Sequence, residues 1–223
     1  MKLIHAGYEI LTPIDGLTEL KAIELAARVC YKSEAAITED GESAKKLIRR
    51  LIESGHEAML EHSFLSVKFT VDRGVTHELI RHRLCSFAQE STRYCNYSGE
   101  KFGHDVRFVI PYFFEEKLQS PNPCDAMLLG LWTGACQKAE CTYFELLKRG
   151  ATPQEARTVL PNSTAADIVV TANFREWRHI LKLRTAKDAH PQMREVMCPL
   201  GEELQRRIPV IFDDCVTAWR ETT

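Results

Sequence analysis

The densest group of chemically competent side chains lies at positions 81–93, which read RHRLCSFAQESTR. Arg81, His82 and Arg83 open the segment and Arg93 closes it, with serine, threonine, glutamine and glutamate between them. Guanidinium groups bind phosphate through two parallel hydrogen bonds, and hydroxyl and amide groups complete the shell around such a ligand. The segment therefore predicts a site for a phosphorylated ligand. The alternative, a solvated helix face, does not require so many kinds of hydrogen-bonding group.

Histidines and carboxylates near this segment raise the possibility of a metal site. His77 and Glu78 begin an H-E-x-x-H pattern, but the second histidine is missing from the fifth position. His82 comes one place too late, about 140° further around a helix than His77. The His/Glu pairs at 56–57 and 61–62 reproduce no standard ligand spacing either. We expect no protein-bound metal.

Composition limits the classes of function. The chain has 223 residues, with 29 Lys and Arg against 31 Asp and Glu and a formal net charge of −2. This balance argues against a protein that coats nucleic acid or an anionic membrane. The longest nearly uncharged apolar stretch, 126–136, is far shorter than the roughly 20 residues of a membrane span. The N-terminus lacks an apolar signal region and the eight cysteines form no C-x-x-C pair, so we expect a cytoplasmic protein with reduced thiols.

The elements that must position this chemistry follow from hydrophobic periodicity. Apolar residues at steps of three and four predict helices at 17–31, 42–54, 75–84, 125–149, 153–160, 174–183 and 191–207. Alternating or β-branched runs predict strands at 64–71, 92–97, 106–110 and 165–172. Because helices and strands do not alternate strictly, we expect an α+β fold in one domain spanning 1–223. It should contain an antiparallel type of sheet and a long helix in the middle of the chain.

The segment at 81–93 also resembles a family signature. The pattern R-H-R-x-x-S-x-x-x-x-S-x-R of the flavin-dependent thymidylate synthases is satisfied by Arg81, His82, Arg83, Ser86, Ser91 and Arg93. Segments at 55–62, 156–161 and 173–184 are similar to other family segments, in the right order. The resemblance thus covers most of the chain.

This resemblance implies a mixed α+β fold, assembled as a homotetramer with active sites shared between subunits. The implied reaction methylates dUMP to dTMP with methylenetetrahydrofolate as the carbon donor. Noncovalent FAD, reduced by NADPH, carries the hydride. The chain lacks a G-x-G-x-x-G loop, but clustered arginine and histidine side chains can hold a pyrophosphate without one.

The family's flavin contacts map onto several separate segments. By resemblance they are His56, Ala58, Arg81, His82, Arg83, Gln89, Asn173, Phe174, Arg175 and His179. Family members often have a small hydroxyl residue where this chain has Ala58, so contact there is through the backbone or by van der Waals packing. Gln89 stands where the family also uses an acidic residue.

The implied dUMP contacts are Glu78, Leu79, Ile80, Arg81, Gln89, Glu90, Ser91, Thr92, Arg93, Arg157 and Arg184. Arg93 suits the 5′-phosphate because its charge does not titrate. Arg157 resembles the family arginine that reaches dUMP from another subunit.

We assign Arg184 as the catalytic residue. A fixed guanidinium beside the N3/O4 edge of uracil stabilises negative charge there and makes C5 nucleophilic. The alternative is a nucleophilic Ser91, which needs an adjacent base that the sequence does not reveal. Cys85 and Cys95 occupy no fixed motif position, and we expect both to serve packing.

Two other functions remain open at this point. One is an RNA or single-strand binding module, in which the arginines contact phosphates and Phe87, Tyr94 and Tyr97 stack on bases. The net charge and the lack of a recognised nucleic-acid motif disfavour it. The other is a flavin enzyme that acts on a different pyrimidine-like substrate. We expect no nucleic-acid and no membrane partner.

Overall fold

The computed structural model describes residues 1–118 and 120–218. Its strands are β1 Lys2–Ile4, β2 Gly7–Ile10, β3 Phe64–Asp72, β4 Ser86–Gln89, β5 Arg107–Val109 and β6 Ala165–Asn173. Its helices are α1 Gly16–Val29, α2 Glu42–Glu53, α3 Arg73–Leu79, α4 Tyr112–Leu118, α5 Pro123–Lys148, α6 Pro153–Ala156, α7 Phe174–Arg184 and α8 Pro191–Arg207. Within the described residues, no helix is long and apolar enough to cross a membrane.

The strands form two sheets. The larger is antiparallel with the order β2-β3-β6-β4, and the smaller is a parallel pair of β1 and β5. Burial alternates along β3 and β6, as expected for strands with one face in a core. The α+β class and the strands expected at 64–71 and 165–172 are confirmed.

The described chain forms two compact units. Unit 1 comprises Met1–Gly7, Phe69–Arg81 and Ala88–Ile168. Unit 2 comprises Tyr8–Lys68, His82–Phe87 and the described chain from Val169 onwards.

Unit 1 has a core built on the long helix α5. Asn122 caps this 26-residue helix by accepting a hydrogen bond from the Cys124 N–H, and Pro123 occupies its first turn. The buried cluster contains Tyr97, Val106, Phe108, Cys136, Tyr143 and Ala156. The long central helix is confirmed. The apolar stripe expected along it is only partly buried, because Leu128 and Leu131 are 46% and 67% exposed.

Unit 2 contains helices α1, α2, α7 and α8. Buried residues of α7 include Trp177, whose indole N–H donates to the Leu65 carbonyl of β3 at 2.9 Å. Asn173 is both the last residue of β6 and the N-cap of α7, where its side chain accepts the Glu176 N–H. The strand therefore continues into the helix without a loop.

Three expectations about local structure are wrong. Residues 92–97 form turns instead of a strand, because the Ser91 carbonyl accepts the N–H groups of Tyr94 and Cys95. The helix expected at 75–84 ends at Leu79, and the one expected at 153–160 is the short α6 followed by a 3-10 turn.

Candidate active site

The Arg-His-Arg triplet lies in the turn between α3 and β4. His82 is buried, whereas Arg81 and Arg83 are exposed. Neighbouring residues thus point into different environments. The triplet is not a single cationic patch, and its histidine is part of the interior.

His82 lies next to three side chains carried by α7. Its Nε2 accepts a hydrogen bond from Nε of Arg184 at 3.0 Å, although the two residues are 102 positions apart. Arginine always carries its protons, so Nε2 must present a lone pair. The ring proton of neutral His82 is then on Nδ1, which lies 3.6 Å from a Glu176 carboxylate oxygen. His179 packs edge-on at 5.8 Å between ring centroids.

Burial controls the protonation of these groups. Burial first, then Arg184 and His179, lower the pKa of His82 to about 4, so His82 is neutral at pH 7. Burial raises the pKa of Glu176. Burial and the nearby Glu176 carboxylate raise the pKa of Cys85 to about 12. A protonated thiol is a poor nucleophile, which agrees with a packing role for Cys85.

The first turns of α7 line a cavity of about 790 Å³ in unit 2. Side chains at its wall include Leu84, Asn173, Arg175, Glu176, His179 and Lys182. A helix N-terminus with nearby cations favours bound anions. The volume is within the range of about 300–1,000 Å³ found for small-molecule sites. Arg175, His179 and Lys182 are the groups here that could hold the diphosphate of a dinucleotide cofactor. Glu61 and Glu57 also line this wall, and they pair with Arg175 and Arg178.

A second cavity, of about 450 Å³, lies between α1, α2 and the segment that follows α2. His56 and Ala58 are at its wall, so two of the expected flavin contacts are here. Glu57 and Arg175 line both cavities. Phe174 does not line either, since its ring packs on Phe212 and its N–H donates to the Ser63 carbonyl.

Arg178 braces the wall of the first cavity. Its guanidinium donates to both carboxylate oxygens of Asp214, at 2.6 and 3.0 Å, and to Glu57 at 3.1 Å. It also donates to the Ile211 carbonyl. This buried cation therefore ties α7 to the chain that follows α8.

One group of side chains within the described residues has the composition of a metal site. Donor atoms of His82, Glu176 and His179 all lie within 4.8 Å of one another. A metal needs a ring lone pair from His82. One ring nitrogen of His82 already faces a donor from Arg184 and the other carries the proton. The group is better suited to hydrogen bonding than to metal coordination.

The residues expected at the dUMP phosphate lie in unit 1. Nε of Arg93 donates to the Gln154 side chain at 3.1 Å, and Nη1 of Arg157 donates to the Thr92 hydroxyl at 3.3 Å. Both arginines are exposed. The Ser91 hydroxyl accepts the Arg93 N–H at 3.3 Å and so closes a local turn.

The remaining expected dUMP contacts of unit 1 are divided between surface and interior. Gln89 donates to the Thr76 hydroxyl at 3.0 Å. Glu90 accepts hydrogen bonds from the Tyr97 hydroxyl at 2.8 Å and from Arg107 at 3.0 Å. At the end of α3, Leu79 is buried, Ile80 is exposed and Glu78 is half-buried.

Comparison with known proteins identifies the family. A family model described as thymidylate synthase complementing protein matches residues 14–210. The chain belongs to this family. A flavin-dependent thymidylate synthase of Mycobacterium tuberculosis is 35% identical over 86% of this chain and 78% of its own. One from Corynebacterium aurimucosum is 32% identical over 94% and 86%.

A solved structure is also similar to this member of the thymidylate synthase complementing protein family. It is the UMP/dUMP methylase PolB from Streptomyces cacaoi, bound with 5-Br dUMP. The TM-score is 0.77 at 26% identity, and the match covers 96% of each chain. The relatives are named as synthases and a methylase, so this family member is an enzyme.

The sequence alone did not single out three cavity residues of this family member: Glu176, Arg178 and Lys182. A charged residue on an amphipathic helix is usually solvated, so the sequence does not indicate that Glu176 belongs to a site. A usable signal was present, because Asn173, Glu176 and His179 recur at steps of three and share a helix face.

Proposed function

We propose that this enzyme methylates dUMP to dTMP, with methylenetetrahydrofolate as the carbon donor and noncovalent FAD, reduced by NADPH, as the hydride carrier. The contact between Arg184 and His82 carries the proposal. It joins the signature segment to the end of α7, which carries Arg184, our candidate for the catalytic residue. Membership of the thymidylate synthase complementing protein family supports the same reaction.

Unit 1 supplies groups suited to the nucleotide phosphate. Arg93 and Arg157 have permanent charges. Arg93 donates to Gln154 and Arg157 donates to Thr92, and these neutral partners do not compensate the charges. A guanidinium engages a phosphate through two parallel hydrogen bonds. We assign these two arginines to binding dUMP.

Unit 2 supplies groups suited to the flavin. Bound reduced FAD provides the hydride for the reaction. The side chains of Arg175, His179 and Lys182 would hold the diphosphate, and Leu84 offers an apolar contact. His56 and Ala58, at the second cavity, extend the same set.

Arg184 would stabilise charge on the uracil. Its Nε donates to His82, and this hydrogen bond fixes the orientation of the guanidinium. A guanidinium held in place before the reaction costs no reorganisation when charge develops. Ser91 is less suited to attack, because its hydroxyl accepts the Arg93 N–H and so stabilises a local turn.

A homotetramer with shared sites is part of the proposal. Met127, Leu128 and Leu131 on α5 are 61%, 46% and 67% exposed. Clustered apolar side chains on a surface are typical of protein–protein contacts. A single domain over 1–223 and a cytoplasmic location stay predictions.

The decisive experiment is an omission assay. Purified enzyme receives dUMP, methylenetetrahydrofolate, FAD and NADPH, and dTMP is quantified with each component left out in turn. We expect loss of dTMP with each omission. Product formation without added folate or flavin, after removal of bound cofactor, would contradict the proposal.

A second candidate substrate is UMP, because the similar PolB structure is named a UMP/dUMP methylase. The same assay with UMP in place of dUMP separates the two. A product from UMP at a comparable kcat/KM would assign the broader activity.

A further inference from the structure

We propose that Glu176 is a positioning residue: its carboxylate fixes the tautomer of His82 and thereby the orientation of Arg184. For its effect on catalysis the inference rests on the proposed function. Its structural part, the location of the ring proton, does not.

The first support is the direction of the contacts around the His82 ring. Arg184 donates to Nε2, so that nitrogen must be unprotonated. On the other side, a Glu176 oxygen lies 3.6 Å from Nδ1. This is too long for a hydrogen bond, but it is close enough for the carboxylate to act electrostatically on the ring. A carboxylate there attracts an N–H and repels a lone pair, so both neighbours favour a proton on Nδ1.

The second support is the burial of the groups. His82 and Glu176 are 5% and 6% exposed, so water does not screen their interaction well. The Glu176 N–H is bound by Asn173, which anchors the residue at the start of α7. A buried carboxylate is costly to a fold unless it is paired. A proton on Nδ1 of His82 would give this carboxylate a favourable neighbour and offset part of that cost.

The other groups near the ring do not replace this function. His179 meets His82 edge-on, and it lines the first cavity. The thiol of Cys85 keeps its proton. Without the carboxylate, the opposite tautomer would place an N–H against the N–H of Arg184. That repulsion would turn the guanidinium away from its position.

The first test reads the tautomer directly. Long-range ¹H–¹⁵N spectra of ring nitrogens, assigned with His82→Gln, report which nitrogen of His82 carries the proton. We expect Nδ1–H in the wild type and a mixture of tautomers in Glu176→Leu. An Nε2–H tautomer in the wild type, or the same tautomer in both proteins, would overturn the proposal.

The second test is kinetic and uses two variants of similar size. Glu176→Leu removes the acceptor, and we expect kcat to fall at least about tenfold, with little change in the KM for dUMP. Glu176→Gln keeps an acceptor oxygen and should restore most of that loss. Flavin absorbance and the melting temperature should be maintained in both variants, because an unpaired buried carboxylate adds little stability.

The remaining outcomes are equally decisive. Parallel losses of flavin, melting temperature and kcat in both variants would show a structural role and refute positioning. Loss of wild-type activity on chelation, restored by Zn²⁺, would show a metal at these side chains and refute it as well. A wild type that forms no dTMP contradicts the proposed function, while the spectra still decide the tautomer.

Discussion

Replacing Arg178 by methionine tests whether the buried cation beside the first cavity holds that wall together. The Arg178 side chain is 1% exposed, whereas its partners Asp214 and Glu57 are 50% and 24% exposed. Loss of one partner of a fully buried ion pair costs about 3–5 kcal/mol. Because the two carboxylates reach water and can be solvated, we expect a loss of about 2–3 kcal/mol in the free energy of unfolding at neutral pH.

The loss should depend on pH in a defined direction. Hydrogen bonding and charge from Arg178, followed by Lys182, outweigh burial and lower the pKa of Asp214 from 3.8 to about 2. A carboxyl group with a lowered folded-state pKa stabilises the fold above its unfolded pKa, and this stability disappears as the pH falls through the folded value. Solvent screening at the half-exposed Asp214 reduces the acid-labile part to about 1 kcal/mol. The difference in unfolding free energy between the wild type and Arg178→Met should therefore shrink by about 1 kcal/mol as the pH falls from about 4 to about 2, and the rest should persist.

Urea unfolding followed by circular dichroism, at pH 6.5 and pH 3 and at one fixed protein concentration, measures both effects. Arg175→Met is the matched control, because Arg175 is on the same helix but its ion pair with Glu61 is exposed on both sides. The control should lose less than about 0.5 kcal/mol. Equal midpoints for Arg178→Met and the wild type would refute the reasoning, and so would a difference that is unchanged at pH 3.

Other predictions concern the proposed chemistry. Arg184→Ala should lower the rate of dTMP formation at least about 100-fold in rapid-mixing assays, while NADPH oxidation by bound flavin changes much less. Ser91→Ala should raise the KM for dUMP and retain turnover at saturation, and the reverse pattern would favour a serine nucleophile. Arg93→Lys should weaken the binding free energy of dUMP by about 1–3 kcal/mol, measured by calorimetry, and leave flavin affinity unchanged. An equal loss of affinity for both ligands would show that Arg93 has a structural role. If subunits share active sites, mixing an inactive variant substituted at 81–83 with one substituted at 173–179 should restore activity. An active, flavin-loaded monomer in sedimentation would exclude shared sites.

The parts of the fold with regular periodicity could be predicted from sequence. Strand β6 and helix α7 have clear patterns of two and 3.6 residues, and Asn173 marks the change between them. Strand β4 could not be predicted from periodicity. Only two of its four residues are apolar, and none of the four is buried. The strand expected at 92–97 was wrong because Ser91 makes local turn bonds that outweigh the strand preference of the two tyrosines.

The candidate site could be predicted in its residue types but not in their arrangement. The resemblance identified His82 and Arg184, yet it did not reveal that they contact each other or that His82 is buried and neutral. Burial and tautomer depend on residues distant in sequence, which periodicity does not report. Glu176 is the clearest example, because its local sequence resembles any solvated helix.

The direct continuation of β6 into α7 makes residue spacing itself a determinant of activity. No loop separates the strand from the helix, so a change in residue number cannot be absorbed there. Helix α7 therefore sets a fixed distance of about 16 Å from the end of the strand. One residue inserted between positions 177 and 183 would leave Asn173 and Arg175 in place, but it would advance Arg184 by about 1.5 Å and rotate it by about 100°. Such an insertion would separate Arg184 from His82 while the start of the helix keeps its position. Natural variation in length should therefore be concentrated outside this helix.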